Sequence, residues 1–144
     1  MALALEEARK AERAEEVPVG AVIVDAAGNV IARGFNQPIS THDPTAHAEI
    51  VAMRAAALVA GNYRLTGLTL YCTMEPCVMC AGAIVHARIQ RVVYGAADPR
   101  AGAAGSIYNV LADTRLNHQT EVVAGVREDE CREIMQRFFG KRRL

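Results

Sequence analysis

The spacing of apolar residues divides this chain into alternating helical and extended stretches. From Ala2 to Glu16, small apolar residues recur among Glu, Arg and Lys, which predicts a solvated amphipathic helix. Two short apolar runs follow, Val19 to Val24 and Val30 to Phe35. The Asp25-Ala26-Ala27-Gly28-Asn29 link between them predicts a hairpin. Ala46 to Ala60 reads as a helix stopped by Gly61-Asn62. Leu68 to Cys72 reads as a strand, Cys77 to Arg88 as a helix, Arg91 to Tyr94 as a strand, Glu121 to Ala124 as a fifth strand and Arg127 to Phe139 as a closing helix. Strands alternating with helices after an opening hairpin predict a layered α/β domain with a mixed sheet. No repeat or linker interrupts the pattern, so residues 1–144 are expected to form a single domain. Asp98 to Ser106 is the one long Gly/Ala-rich connection, either a binding loop or a tightly packed turn.

Composition narrows the class. A chain of 144 residues can bury about two-thirds of its unfolded surface. With 51% hydrophobic and 22% charged residues it has the make-up of a globular protein rather than a disordered one. Many alanines and few aromatics predict helices packed closely on the sheet. No apolar run approaches the ~18 residues of a membrane span, and the charged start is unlike a signal peptide. Four cysteines, two of them at metal-ligand spacing, do not form a secreted disulfide framework, so a cytoplasmic location is expected. The formal net charge of zero gives no global attraction to nucleic acid.

The chemistry concentrates in two segments, His47-Ala48-Glu49 and Glu75-Pro76-Cys77-Val78-Met79-Cys80. A hydrolytic zinc takes three protein ligands and keeps a fourth position for water. His47, Cys77 and Cys80 can fill three corners of a tetrahedron, leaving Glu49 to move protons. Pro76 suits the first turn of a helix, which would set Cys77 and Cys80 one turn apart on one face. The helix N-terminus would favour anionic sulfur. Asp43 or Thr45 could cap the helix that carries His47. Residues two apart on a regular helix do not face each other, so His47 and Glu49 converge only if both lie in the first turn with the metal near the helix end. Two other readings compete: a Cys-x-x-Cys redox site, and a structural zinc closed by Cys72 or Cys131. The His-x-Glu element weighs against the first; against the second, Cys72 falls in the apolar run Leu68 to Cys72, and Cys131, in a charged helical pattern, could equally be buried on its inner face. Glu75 reads as a cap for the second metal helix. His42, His86 and His118 lack ligand spacing and read as structural.

Both metal segments together resemble the zinc-dependent nucleoside and nucleobase deaminases. Further segments are similar to the branch of that family that edits tRNA: Val17-Pro18-Val19-Gly20-Ala21-Val22, Asn36, Asn62-Tyr63-Arg64-Leu65, Gly102-Ala103-Ala104-Gly105-Ser106, and Phe138-Phe139 with Arg142-Arg143. The resemblance implies a three-layer α/β/α cytidine-deaminase-like fold with a five-stranded mixed sheet. It implies one Zn2+ per subunit on His47, Cys77 and Cys80, with Glu49 as proton shuttle. It also implies hydrolytic deamination of adenosine to inosine at the wobble position of a tRNA anticodon stem-loop, by a homodimer. Asn36 would contact the target nucleotide. Asp98 and Arg100 would lie in a loop beside the RNA, and Phe138, Phe139, Arg142 and Arg143 on a helix that touches it. Arg100 stands where the family often has Lys, which keeps the charge but changes its geometry. The tail taken alone also fits a helix end whose cations complement the dipole and whose Phe rings are buried. Two other functions share the metal signature: a small-molecule deaminase of the guanine or cytidine type, and a zinc-bound RNA-binding subunit without catalysis. The intact Glu49 weighs against the latter.

Overall fold

The computed structural model describes residues 1–142. The order of elements is α1 (Ala2–Arg13), β1 (Gly20–Val24), β2 (Val30–Phe35), α2 (Pro38–Thr41), α3 (Ala48–Ala60), β3 (Thr69–Met74), α4 (Val78–Ala87), β4 (Arg91–Ala96), a 3-10 turn (Val110–Ala112), β5 (Glu121–Val123) and α5 (Glu128–Arg142). The strands form one sheet in the order β2-β1-β3-β4-β5. β1 pairs antiparallel with both β2 and β3, while β3–β4 and β4–β5 are parallel. It follows that β2, β3, β4 and β5 all point the same way. The carboxyl ends of β2, β3 and β4 therefore open onto one edge of the sheet.

Helices α1 and α5 pack on one face, and α3 on the other with α4 beside it. The result is the three-layer α/β/α arrangement with a five-stranded mixed sheet. The larger core cluster joins Ile23, Leu70, Cys72 and Val92 of the sheet to Ala52, Met53, Ala56, Ile84 and Val85 of α3 and α4. Small residues set the layer spacing. A side chain at Gly20 would run into the Ala4 carbonyl and Ala8 amide of α1, and one at Gly34 into the Ala48 carbonyl and Ala52 amide of α3. The alanine-rich helices thus lie directly on strand glycines.

Several boundaries differ from the sequence expectation. α1 ends at Arg13 because the chain turns at Glu15, where φ is 60°, and tucks the Glu16 carboxylate inside. β3 and β4 run two residues further, to Met74 and Ala96, held by the parallel pairing of those residues with each other. α5 extends to Arg142 rather than Phe139. α2 and the 3-10 turn are too short for periodicity to reveal.

Candidate active site

His47 and Cys77 occupy equivalent places, each the N-cap of the helix that follows, α3 and α4. Both have extended backbone there, with φ −68° and ψ 154° at His47 and φ −76° and ψ 177° at Cys77. This resolves the spacing of His47 and Glu49. His47 is not yet helical and Glu49 is the second helical residue, so the two side chains need not obey the 100° rule of a regular turn. It also corrects two expectations. Pro76 stands before the helix rather than in its first turn, and His47 itself takes the cap position expected of Asp43 or Thr45. Asp43 instead accepts hydrogen bonds from the Thr45 amide and hydroxyl, closing the turn that leads into His47.

The metal-ligand atoms converge. His47 Nδ1 lies 3.5 Å from Cys77 Sγ and 3.5 Å from Cys80 Sγ, and the three atoms all fall within 4.8 Å of one another. Zinc bonds of about 2.3 Å to sulfur and 2.0–2.1 Å to nitrogen, at a tetrahedral angle, separate N from S by about 3.5 Å. The donor set therefore fits zinc. Cys72 and Cys131 are buried elsewhere and are not in the group, so no fourth thiolate closes the shell among the described residues. No disulfide links Cys77 and Cys80, and both remain free thiols.

Electrostatics activate one thiol of the pair. The hydrogen bond from Cys80, with those from His47 and the Cys80 amide, pulls the Cys77 thiol down to about 4 against its burial. The same bond to Cys77, together with burial, pushes Cys80 well up, so one thiolate is shared across the pair. The contact with Cys77 raises the His47 imidazole. Glu49 is buried, at 4% exposure, and burial pushes its carboxyl up, opposed by the nearby His47. Glu49 also contacts the Cys80 thiol. A carboxyl placed beside the ligands without joining them is the arrangement needed for proton transfer.

The other expected residues lie around this edge. Asn36 directly follows β2, is buried, and holds its backbone N–H on the Val19 carbonyl. Asp98 and Arg100 sit beyond the end of β4; the Asp98 carboxylate accepts the Arg100 and Ala101 amides at 3.0 and 3.2 Å, and Arg100 is exposed. Together with Phe139, Gln136 and Arg132 of α5 they line a groove of about 550 Å3. None of His47, Glu49, Cys77 or Cys80 lines it, so the groove is a neighbour of the metal group rather than its cavity. The two tail aromatics separate. Phe138 is buried and meets Phe139 edge-on at 5.3 Å, while Phe139 is 42% exposed. Arg142 lies 4.1 Å over the Phe138 ring and donates to the Glu15 carbonyl at 3.0 Å, which ties the end of α5 to the turn after α1. Arg143 lies outside the described residues.

Glu75 does not cap α4. Its carboxylate accepts hydrogen bonds from the amides of Asp98, Ala104 and Ser106, each at 3.0 Å, and from the Ser106 hydroxyl. Burial alone would raise this carboxyl, but those four donors outweigh it and hold it below its ordinary value. Sequence reasoning missed this, since the partners lie 23 to 31 residues downstream in a loop with no periodic pattern. Of the histidines read as structural, His118 bonds the Ile89 carbonyl at 2.8 Å.

Residues 1–96 match the model of the cytidine and deoxycytidylate deaminase zinc-binding region. The chain belongs to this deaminase family. A curated member, the tRNA-specific adenosine deaminase of Haemophilus influenzae, is 53% identical over 99% of this chain and 83% of that protein. Among solved structures, a tRNA:A34 deaminase studied for A-to-I editing at the wobble position superposes with a TM-score of 0.89 at 48% identity, covering 93% of this chain and 96% of that one. A guanine deaminase from Bacillus subtilis superposes less completely, with a TM-score of 0.65 and 43% identity over 73% of this deaminase and 67% of that chain.

Proposed function

We propose that this chain hydrolytically deaminates adenosine to inosine at the wobble position of a tRNA anticodon loop. The observation that carries the chemistry is the convergence of His47, Cys77 and Cys80 beside a buried, unligated Glu49. The substrate reading is supported by similarity to tRNA-specific adenosine deaminases over nearly the whole of this chain. His47 Nδ1 and the Cys77 and Cys80 sulfurs hold one zinc per subunit. When bound, zinc supplies an acidified water as nucleophile. Two thiolates and a neutral imidazole cancel the charge of a dication, so a carboxylate must do much of the deprotonation, and that falls to Glu49. Glu49 takes the water proton and delivers it to adenine N1 as C6 is attacked. It then moves a proton to the C6 amine, the C6–N bond breaks, ammonia leaves and inosine remains. Asn36 holds the target nucleotide at the mouth of the site. Asp98, Arg100 and the exposed Phe139 receive neighbouring nucleotides along the groove, with Phe139 rather than Phe138 free to stack on a base. Arg142 is exposed and can meet phosphate while it braces α5, and Arg143, next in the sequence, adds a second cation.

We further infer that residues 1–144 form one domain and that it acts in the cytoplasm as a homodimer. An apolar furrow between α3 and α4, lined by Ile50, Met53, Ala57, Tyr63, Ala83 and His86, supports self-association. No helix among the described residues is long and apolar enough to cross a membrane. Light scattering at micromolar concentration tests the dimer.

A second reading, a small-molecule deaminase acting on guanine or cytidine, is favoured by the likeness to the guanine deaminase. The deciding assay compares an anticodon stem-loop carrying wobble adenosine with free adenosine, guanine and cytidine. Turnover is expected on the stem-loop. Faster turnover of a free base or nucleoside would overturn the RNA substrate and leave only the deaminase chemistry.

A further inference from the structure

Two neighbouring features meet at Glu75. It follows the end of β3, two residues before the metal-ligand Cys77, and its carboxylate reaches into the loop that follows β4. There it is buried, at 3% exposure, with each oxygen accepting two hydrogen bonds. Oε1 takes the Asp98 amide and the Ser106 hydroxyl; Oε2 takes the Ala104 and Ser106 amides. The loop is shaped to receive it. A methyl group at Gly102 would fall on the carboxylate itself, which must then shift off its four donors. The loop backbone is also stitched to the segment before α4. Ala103 N–H donates to the Pro76 carbonyl at 2.8 Å, and Cys77 forms an antiparallel bridge with Gly102.

We propose that Glu75 is a positioning residue for substrate: it fixes the Asp98–Ser106 loop, with its Asp98 and Arg100, at a set distance from the metal-bearing helix. The proposal rests on the RNA reading above for what the loop contacts, but not for the clamp itself. A buried carboxylate with all its acceptor sites used is costly to leave unpaired, so the loop and Glu75 must move together. Cys77 and Cys80 are also held by the start of α4, so the Gly102 bridge is not their sole support.

The chemistry of the clamp dictates the variants. In Glu75→Gln the amide NH2 cannot face the Ala104 and Ser106 amides, which are both donors. It must replace Oε1, where the Ser106 hydroxyl can turn to accept but the Asp98 N–H cannot. The lesion is therefore confined to the Asp98 end of the loop. Gly102→Ala disturbs the same contact by volume instead of charge. Each variant is expected to raise KM for the anticodon stem-loop about tenfold, with kcat within about twofold and zinc content unchanged. The double variant should be little worse than Gly102→Ala alone, because the added methyl already displaces the contact that the glutamine weakens.

Hydrogen exchange on the free protein gives a readout that needs no substrate. The Asp98 amide should lose protection in Glu75→Gln, and the Ala104 and Ser106 amides should join it in Gly102→Ala. Unchanged exchange in both variants overturns the clamp whatever the substrate proves to be. Altered exchange with unchanged KM for the stem-loop overturns its role in substrate positioning. Zinc loss in step with activity would make Glu75 a support of the metal site instead, and would also overturn the proposal. If the wild-type protein prefers a free nucleobase, the RNA reading fails separately, and the KM comparison is made on that base.

Discussion

Gly34→Ala probes the link between packing and chemistry most sharply. Gly34 lies on β2 directly under the first turn of α3, which carries His47 at its cap and Glu49 within it. A Cβ at Gly34 would stand 2.6 Å from the Ala48 carbonyl oxygen, 2.7 Å from the Ala52 amide nitrogen and 3.0 Å from the Val51 Cβ. Two of those three atoms are backbone, so no side-chain rotation relieves the clash. Ordinary contact begins at 3.4 Å, so the start of α3 must retreat by about 0.8 Å or the strand must buckle. Overpacking of this kind costs about 1–3 kcal/mol. In a chain of this size that lowers the melting temperature by roughly 3–10 °C. The functional effect should be larger than the stability loss suggests. Catalytic constellations tolerate about 0.5 Å of displacement, and a misplacement near 1 Å can cost about 10²-fold. We therefore expect deaminase activity at 25 °C, well below melting, to fall about ten- to a hundred-fold, with weaker retention of zinc on dialysis. Gly140→Ala is the control: it sits in α5 with nothing within 4 Å of its Cβ, and should be neutral or stabilising by about 0.5–1 kcal/mol. Wild-type melting and turnover in Gly34→Ala would refute the packing reasoning. Lower melting with unchanged zinc and turnover would refute the coupling of helix position to the site.

Two further outcomes are expected. Glu49→Gln should retain zinc while deamination falls at least about 10²-fold, measured by inosine formation alongside metal analysis, and near-normal turnover would remove Glu49 from the mechanism. Burial would raise the Glu16 carboxyl, but hydrogen bonds from Ser40 and Ile39 hold it below its ordinary value; wild type should therefore exceed Glu16→Gln by about 1–3 kcal/mol above pH 4.5, with the gap closing as pH falls through the lowered folded value, and a gap independent of pH in denaturant titrations would show that ionisation is irrelevant.

Much of the layered order is legible in the sequence because it rests on local signals. The hairpin around Asp25 to Asn29, the α3 stop at Gly61 and the strand–helix alternation all follow from turn chemistry and apolar period. The metal group is legible for a related reason, since His47, Cys77 and Cys80 are the residue types zinc requires. What local pattern does not encode is partnership across the chain. Glu16 accepts the Ile39 and Ser40 amides at 3.2 and 2.7 Å, and Glu75 gathers donors from a loop beyond β4. Each carboxylate is a single charged letter whose meaning depends on backbone amides 23 or more residues away. The tail is instructive in another way. Phe138 and Phe139 are adjacent letters of the same type, yet helix geometry sends one ring inward under Arg142 and leaves the other beside the groove. Phe138 therefore takes the core-packing reading, and of the two rings Phe139 is the one left accessible for the RNA-facing reading.

The topology suggests a division of labour that explains why one metal signature serves several substrates in this family. The ligands and Glu49 stand at helix starts, where the backbone is fixed by packing on the sheet and displacement is costly. Asn36, Asp98 and Arg100 stand just beyond strand ends in connecting segments, each braced at a distance by a buried carboxylate: Glu16 holds α2, just after Asn36, and Glu75 holds the loop of Asp98 and Arg100. Loop exchange that spares the Gly102–Cys77 bridge can change what enters the site without moving the metal group. By contrast, a change beneath α3, as at Gly34, moves the chemistry itself. Substrate preference should therefore be more readily altered through the 36–41 and 98–106 segments than through the helix starts, whose geometry fixes the reaction.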